Sequence, residues 1–206
     1  MFPVTVYTSQ LLFVGIVGIL IVYTLSKLYL HYRAETTHKI LDELNSISLP
    51  LIVLGLYLLG TDIYSQMAYS SPTYYGIGFY AVNALFPLVL IMAGLAAYRE
   101  NASYLEHVSF LALIGGVISV YYGLAAFLSS TYTVSSSVMF VMYVFFGLAG
   151  VLSYPASEIV EHLTSPSKKK VTFNRHLVMV FLWFFVFVGS LLALYLWTTT
   201  LPFVSY

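Results

Sequence analysis

Six long runs of apolar residues constrain this chain more than any other feature of its sequence. Only 8% of its 206 residues are charged and 60% are hydrophobic, whereas soluble domains carry about 25% charged residues. A chain with so little charge cannot cover a surface that faces water. The sequence therefore predicts an integral membrane protein that is solvated by the lipid bilayer.

The apolar runs have the length of membrane-spanning helices, which need about 20 residues each. Backbone groups must be paired inside hydrocarbon, so every span is expected to be a helix. We predict an all-α, polytopic transmembrane helix bundle that forms a single domain over residues 1–206. The six predicted spans cover residues 10–30, 49–69, 76–98, 105–128, 136–154 and 177–198.

The basic residues indicate how the predicted bundle lies in the membrane. All eight fall at or in the connections between spans one and two, three and four, and five and six; they are Lys27, Arg33, Lys39, Arg99, Lys168, Lys169, Lys170 and Arg175. Basic loops usually remain in the cytoplasm. The pattern predicts a multi-pass protein of the cell membrane with cytoplasmic basic loops and both termini outside.

Three further features of helix geometry follow from the sequence. Residues 31–46 are predicted to extend the first helix into the cytoplasm. Pro155 is predicted to kink or break the fifth helix, and the stretch 156–163 would then form a short amphipathic helix. Gly115, Ser119 and Gly123 recur every four residues, which favours close helix packing and suggests span four as the bundle centre.

Asp62 is the one clear charge-capable residue within a predicted span. An acid in hydrocarbon is costly, so it usually faces the bundle interior and marks a function. Several polar residues of neighbouring spans are expected at a similar depth and could form a polar layer with it: Asn83, Tyr121, Tyr122 and Tyr143. Such a layer predicts a proton- or cation-linked pathway. The alternative is a buried acid that only holds two helices in register.

A second group of candidate residues lies on the predicted cytoplasmic side. His31, Glu35, His38 and Asp42 are spaced four, three and four residues apart, which places them on one stripe of a helix. Together with Glu158 and His162 they could ligate a divalent metal at the mouth of the bundle. The alternative is that these residues only make the cytoplasmic surface soluble.

Several classes of function are disfavoured by what the sequence lacks. It contains no Cys, which excludes disulfides and thiol chemistry. Its net charge is zero and no long basic block is present, so nucleic acid is not an expected partner. No His lies deep in a span, which disfavours a haem with two His ligands.

The chain resembles the small six-helix predicted membrane proteins of archaea that are catalogued without a function. The resemblance rests on the six-span layout, the Tyr-rich composition without Cys, and the segment Gly60-Thr61-Asp62-Ile63-Tyr64. It implies a membrane bundle but no activity, and it transfers no site residues.

Three functional hypotheses remain open on the sequence alone. The first is a small transporter or channel with Asp62 in its pathway. The second is a non-catalytic subunit that binds other membrane proteins or further copies of itself. The third is a metal-dependent enzyme with its His and carboxylate site at the cytoplasmic face, although the sequence favours a non-enzyme.

Overall fold

Six α-helices make up nearly all of the chain that the computed structural model describes. The described residues are 3–33, 39–68, 74–99, 102–129, 134–164 and 173–200. The helices are α1 (Pro3–Arg33), α2 (Lys39–Ala68), α3 (Tyr74–Tyr98), α4 (Ala102–Ser129), α5 (Val134–Thr164) and α6 (Phe173–Thr200). No strand occurs within these ranges, so the predicted all-α fold class is confirmed.

Five of the helices are long and apolar enough to cross a membrane. Their candidate spans are Thr8–His31, Asp42–Met67, Tyr104–Ala125, Ser137–Glu161 and His176–Thr199. In α3, the searched residues give a shorter apolar stretch, Ala84–Tyr98. Large apolar side chains cover the outside of the bundle, including Leu128 at 71% and Leu49 at 67% exposure. The molecule is therefore a polytopic helical membrane protein with outer faces suited to lipid.

The helices form a closed ring in chain order, because each helix contacts the next and α6 contacts α1. The contact between α1 and α2 is the least extensive of the six. Lys27 of α1, Lys39 of α2 and Arg99 after α3 lie at one end of the ring, called here the basic end. The opposite end holds Gln10 and Asp62 and is called the neutral end.

Glycine residues bring α4 and α5 into very close contact. A Cβ atom added to Gly150 would lie 2.6 Å from the carbonyl oxygen of Ala112, and one added to Gly116 would overlap the carbonyl oxygen of Gly147. By contrast, a Cβ atom on Gly115 would approach only Leu85 Cβ, at 3.8 Å. The close approach thus uses Gly116 instead of the predicted Gly115. Helix α4 is one member of the ring and does not occupy its centre.

Two further helix pairs are joined in the same way. In the α2–α3 pair, a Cβ atom on Gly55 would lie 3.1 Å from the carbonyl oxygen of Pro87. In the α6–α1 pair, a Cβ atom on Gly18 would overlap the side chain of Ser190. Small residues therefore allow close approach in the pairs α6–α1, α2–α3 and α4–α5.

Two predictions about helix ends are wrong. Helix α5 continues through Pro155 to Thr164, so there is no separate short helix after the proline. Neighbouring helices in a membrane bundle can satisfy the backbone groups that a proline leaves unpaired. The predicted continuous helix over residues 31–46 is also wrong, because His31 of α1 lies 3.2 Å from Glu43 of α2, whereas one helix would separate them by about 18 Å.

Candidate functional site

A buried hydrogen bond joins α1 to α2 at the neutral end of the ring. Gln10 Nε2 donates to Asp62 Oδ1 over 2.8 Å. Both side chains are only 1% exposed. Asp62 has no ion pair among the described residues, so the amide of Gln10 is what holds this buried acid in place.

The surroundings of Gln10 determine which way its amide group points. Nε2 also lies 3.4 Å from Thr61 Oγ1, and the Thr61 hydroxyl itself donates to the carbonyl oxygen of Leu58 over 2.8 Å. Both hydrogens of the amide therefore have acceptors. The reverse orientation would place Oε1 against the oxygen atoms of Asp62 and Thr61.

Two oxygen atoms of this pair have no hydrogen-bond partner within the described part of the chain. They are Gln10 Oε1 and Asp62 Oδ2. A buried acceptor without a donor costs about 1–3 kcal/mol, and such an atom in a folded protein calls for an explanation. A proton on the carboxyl group, or a bound molecule that donates to the amide, would each supply a missing donor.

A cavity of about 330 Å³ lies along the axis of the ring, and all six helices line it. On α1 its wall extends from Gln10 to Leu28, which is about 27 Å at 1.5 Å per residue. This length is close to the roughly 30 Å hydrocarbon thickness of a bilayer. Gln10 lines the cavity whereas Asp62 does not, so the amide is placed between the cavity and the acid.

Most of the hydroxyl groups in the cavity wall are already engaged with the protein backbone. They donate from Thr24 to Leu20 O at 3.0 Å, from Ser109 to Leu105 O, from Ser119 to Tyr143 O at 3.2 Å, from Ser153 to Gly150 O at 2.6 Å, and from Ser157 to Tyr154 O at 2.7 Å. The remaining wall is mainly Leu, Ile, Val, Ala, Met and Phe. The cavity therefore offers an apolar path with Gln10 and Tyr143 near its neutral end.

The predicted polar layer around Asp62 is only partly assembled. Tyr143 is 5% exposed and lines the cavity. Tyr122 packs against the cluster that contains Leu11 and Met142. Tyr121 is 67% exposed on the outside of α4 and does not face the interior. Asn83 belongs to α3, but its side chain lies outside the described part of the chain.

The predicted metal-binding residues are not gathered on one helix. His31 belongs to α1 and Asp42 to α2, and His31 Nε2 lies 3.2 Å from Glu43 Oε1. Asp42 and Glu158 are exposed. Three candidates lie outside the described residues or side chains: Glu35, His38 and His162. The described residues contain no group of three or more potential metal ligands, and a divalent metal stays a prediction.

Sequence reasoning did not identify Gln10 as part of the site. The residue follows two other polar residues, Thr8 and Ser9, and therefore read as the edge of the first span. Helix α1 in fact begins at Pro3, which places Gln10 about two turns inside it. The signal that could have revealed it is its amide group, which, like Asp62, needs a partner when it is buried.

The sequence profile of one family, described as a protein of unknown function (DUF981), matches residues 1–202. The chain belongs to the DUF981 family. No curated protein and no solved structure matches it. Family membership extends over nearly the whole six-helix ring, whereas the resemblance to archaeal proteins stays a prediction.

Proposed function

We propose that this protein is a small proton-linked membrane transporter whose coupling site is the Gln10–Asp62 pair. One observation carries the proposal: the same side chain, Gln10, lines the axial cavity and donates to a fully buried acid. A change at the acid is therefore passed directly to a group that borders the cavity. Ionisable residues inside a membrane bundle commonly belong to substrate or proton pathways.

The hydrogen bonds suggest how the acid would act on the cavity. Without a proton, Asp62 only accepts, and Gln10 Nε2 is held toward it. With a proton, the carboxyl group gains a donor, and the amide can turn so that Oε1 accepts from it. The face of the amide that borders the cavity then changes from an acceptor to a donor. A solute that prefers one of these faces would be coupled to the proton.

The packing of the ring supports a movement that goes with this change. Three helix pairs are held by glycine contacts, whereas α1 and α2 share the least extensive contact in the ring. The Gln10–Asp62 bond crosses this loosest contact. Tightly packed units that rock about weaker contacts are the usual moving parts of membrane carriers.

The basic residues indicate how the proposed transporter is oriented in the membrane. With basic loops in the cytoplasm of a cell, the Gln10–Asp62 pair would lie in the outer part of the cell membrane. The proton would enter from outside, where the pair is nearer to the surface. A cation-linked site is less well supported, because the pair offers few oxygen ligands and adjoins an apolar cavity.

The proposal is tested by an unbiased transport assay with purified protein in sealed liposomes. The liposomes are given an extract of cellular solutes and lipids together with a pH gradient, and accumulated compounds are identified by mass spectrometry. We expect at least one compound to accumulate with the wild-type protein and to be lost with Asp62→Asn or a protonophore.

Ser65→Ala is the matched control for this assay. Ser65 is fully buried on the same helix as Asp62, and its hydroxyl donates only to the carbonyl oxygen of Thr61 over 2.8 Å. The control should accumulate the same compound as the wild type. Identical accumulation by folded Asp62→Asn and wild-type protein would overturn the proposal.

A further inference from the structure

The axial cavity is long and narrow compared with ordinary ligand pockets. Its volume of about 330 Å³ lies near the lower end of the roughly 300–1,000 Å³ typical of ligand sites. That volume is spread over about 27 Å of α1, from Gln10 to Leu28. This elongated shape fits an unbranched chain that lies along the axis of the ring.

The wall of the cavity fits a hydrocarbon chain along most of its length. Leu25 and Leu28 of α1, Ala93 of α3 and Leu182 of α6 line the part toward the basic end. The Thr24 hydroxyl in this part donates to the carbonyl oxygen of Leu20 over 3.0 Å. A methylene chain would therefore displace no hydrogen bond that the wall needs.

At the neutral end, the cavity wall includes the polar side chain of Gln10. Gln10 is 1% exposed, lines the cavity, and has an Oε1 atom without a partner among the described residues. Its Nε2 atom is already directed to the oxygen atoms of Asp62 and Thr61. Gln10 Oε1 thus lacks a hydrogen-bond donor. An ester, an ether or a quinone carbonyl cannot supply one.

We infer that the cavity binds one single-chain lipid with a hydroxyl headgroup, of the long-chain alcohol class. The hydroxyl donates to Gln10 Oε1 at the neutral end, and the chain extends toward the basic end. This inference names the cargo class and so rests on the proposed transport function, although binding can be measured without transport. A charged carboxylate head is disfavoured because it has no donor and would lie near Asp62.

The two tryptophans of the chain provide a test of both binding and orientation. Trp197 packs against the cluster of Leu11 and Tyr143 at the neutral end. Trp183 packs against the cluster of Ala156 and Leu182 toward the basic end. Since the chain has only these two, each can be observed alone after Trp183→Phe or Trp197→Phe.

The probe is hexadecanol with a bromine atom on the carbon farthest from the hydroxyl, because bromine quenches tryptophan fluorescence over a short distance and Trp183 packs against Ala156 and Leu182, which line the cavity. We expect it to quench Trp183 in the Trp197→Phe protein and to leave Trp197 unquenched in the Trp183→Phe protein. The corresponding methyl ether, which cannot donate, should bind about tenfold more weakly. Equal binding of alcohol and ether, or quenching of Trp197 instead, would overturn the inference.

Two variants connect the binding to the cavity. Ala93→Leu should fill part of the cavity and abolish quenching by the alcohol. The double substitution Gln10→Leu with Asp62→Leu, which removes both polar partners together, should make alcohol and ether bind equally. Continued preference for the alcohol in the double variant would show that Gln10 is not the acceptor.

The two proposals fail in different ways. Alcohol binding without Asp62-dependent accumulation in the liposome assay would support the binding site and contradict the transport function. Asp62-dependent accumulation of a hydrophilic compound, with no quenching by the alcohol, would support the transport function and overturn the assigned cargo class.

Discussion

Gln10 Nε2 lies 2.8 Å from Asp62 Oδ1, and this bond connects two residues that are 52 positions apart in the chain. It crosses the α1–α2 contact at the neutral end, while His31 and Glu43 cross the same contact at the basic end over 3.2 Å. Side-chain pairs therefore hold this contact at both ends, whereas close glycine contacts join the pairs α6–α1, α2–α3 and α4–α5. The two kinds of contact are expected to respond differently to substitution.

The Gln10–Asp62 pair should behave as a unit in unfolding experiments. Gln10→Leu leaves a buried acid without its donor, and Asp62→Leu leaves one hydrogen of the buried Gln10 amide without an acceptor, so each should cost about 1–3 kcal/mol. The double variant Gln10→Leu with Asp62→Leu should recover most of that loss, because replacing both partners with apolar groups is close to neutral. Unfolding in detergent micelles measures the stability of both single variants and of the double variant. A loss in the double variant equal to the sum of the two single losses would contradict an interaction between Gln10 and Asp62.

Neighbouring glycines on α4 should respond in opposite ways to alanine. Gly116→Ala places a Cβ atom against the backbone of α5, where no flexible side chain can yield, and should destabilise the protein by about 1–3 kcal/mol. Gly115→Ala meets only Leu85 Cβ at 3.8 Å and should stabilise it by up to about 1 kcal/mol. Thermal unfolding of the two variants checks the contrast, and equal destabilisation of both would show that the helix pair is placed wrongly.

The sequence predicted the helical class and the burial of an acid because both follow from the cost of polar groups in hydrocarbon. It could not predict how the ring closes. Every face of these helices is apolar, so no amphipathic pattern indicates which face of α1 contacts α6 or α2. The four-residue spacing at Gly115 likewise indicated close packing without showing that its neighbour, Gly116, makes the contact.

The polar pair at the basic end should contribute much less than the Gln10–Asp62 pair. The side chains of His31 and Glu43 are 20% and 26% exposed, so water competes for their contact. Glu43→Gln keeps an acceptor near His31 and should change the free energy of unfolding by less than about 1 kcal/mol. The free energies of unfolding of Glu43→Gln and Gln10→Leu are measured under the same conditions. A larger loss of stability in Glu43→Gln than in Gln10→Leu would contradict this prediction.

Filling the axial cavity should separate stability from function. Ala93→Leu on α3 adds apolar volume to a cavity wall that lacks contacts, and filling such a space commonly stabilises a protein by about 0.5–2 kcal/mol. The same side chain would occupy the path of the bound chain, so transport and alcohol binding should be lost although the protein unfolds at a higher temperature.

Leu95→Met, two residues away on the exposed outer face, is the control and should leave binding unchanged. Both properties are measured on one preparation that also carries Trp197→Phe, by thermal unfolding and by quenching of Trp183. A stabilised Ala93→Leu protein that still binds and transports would show that the cavity is only a packing defect.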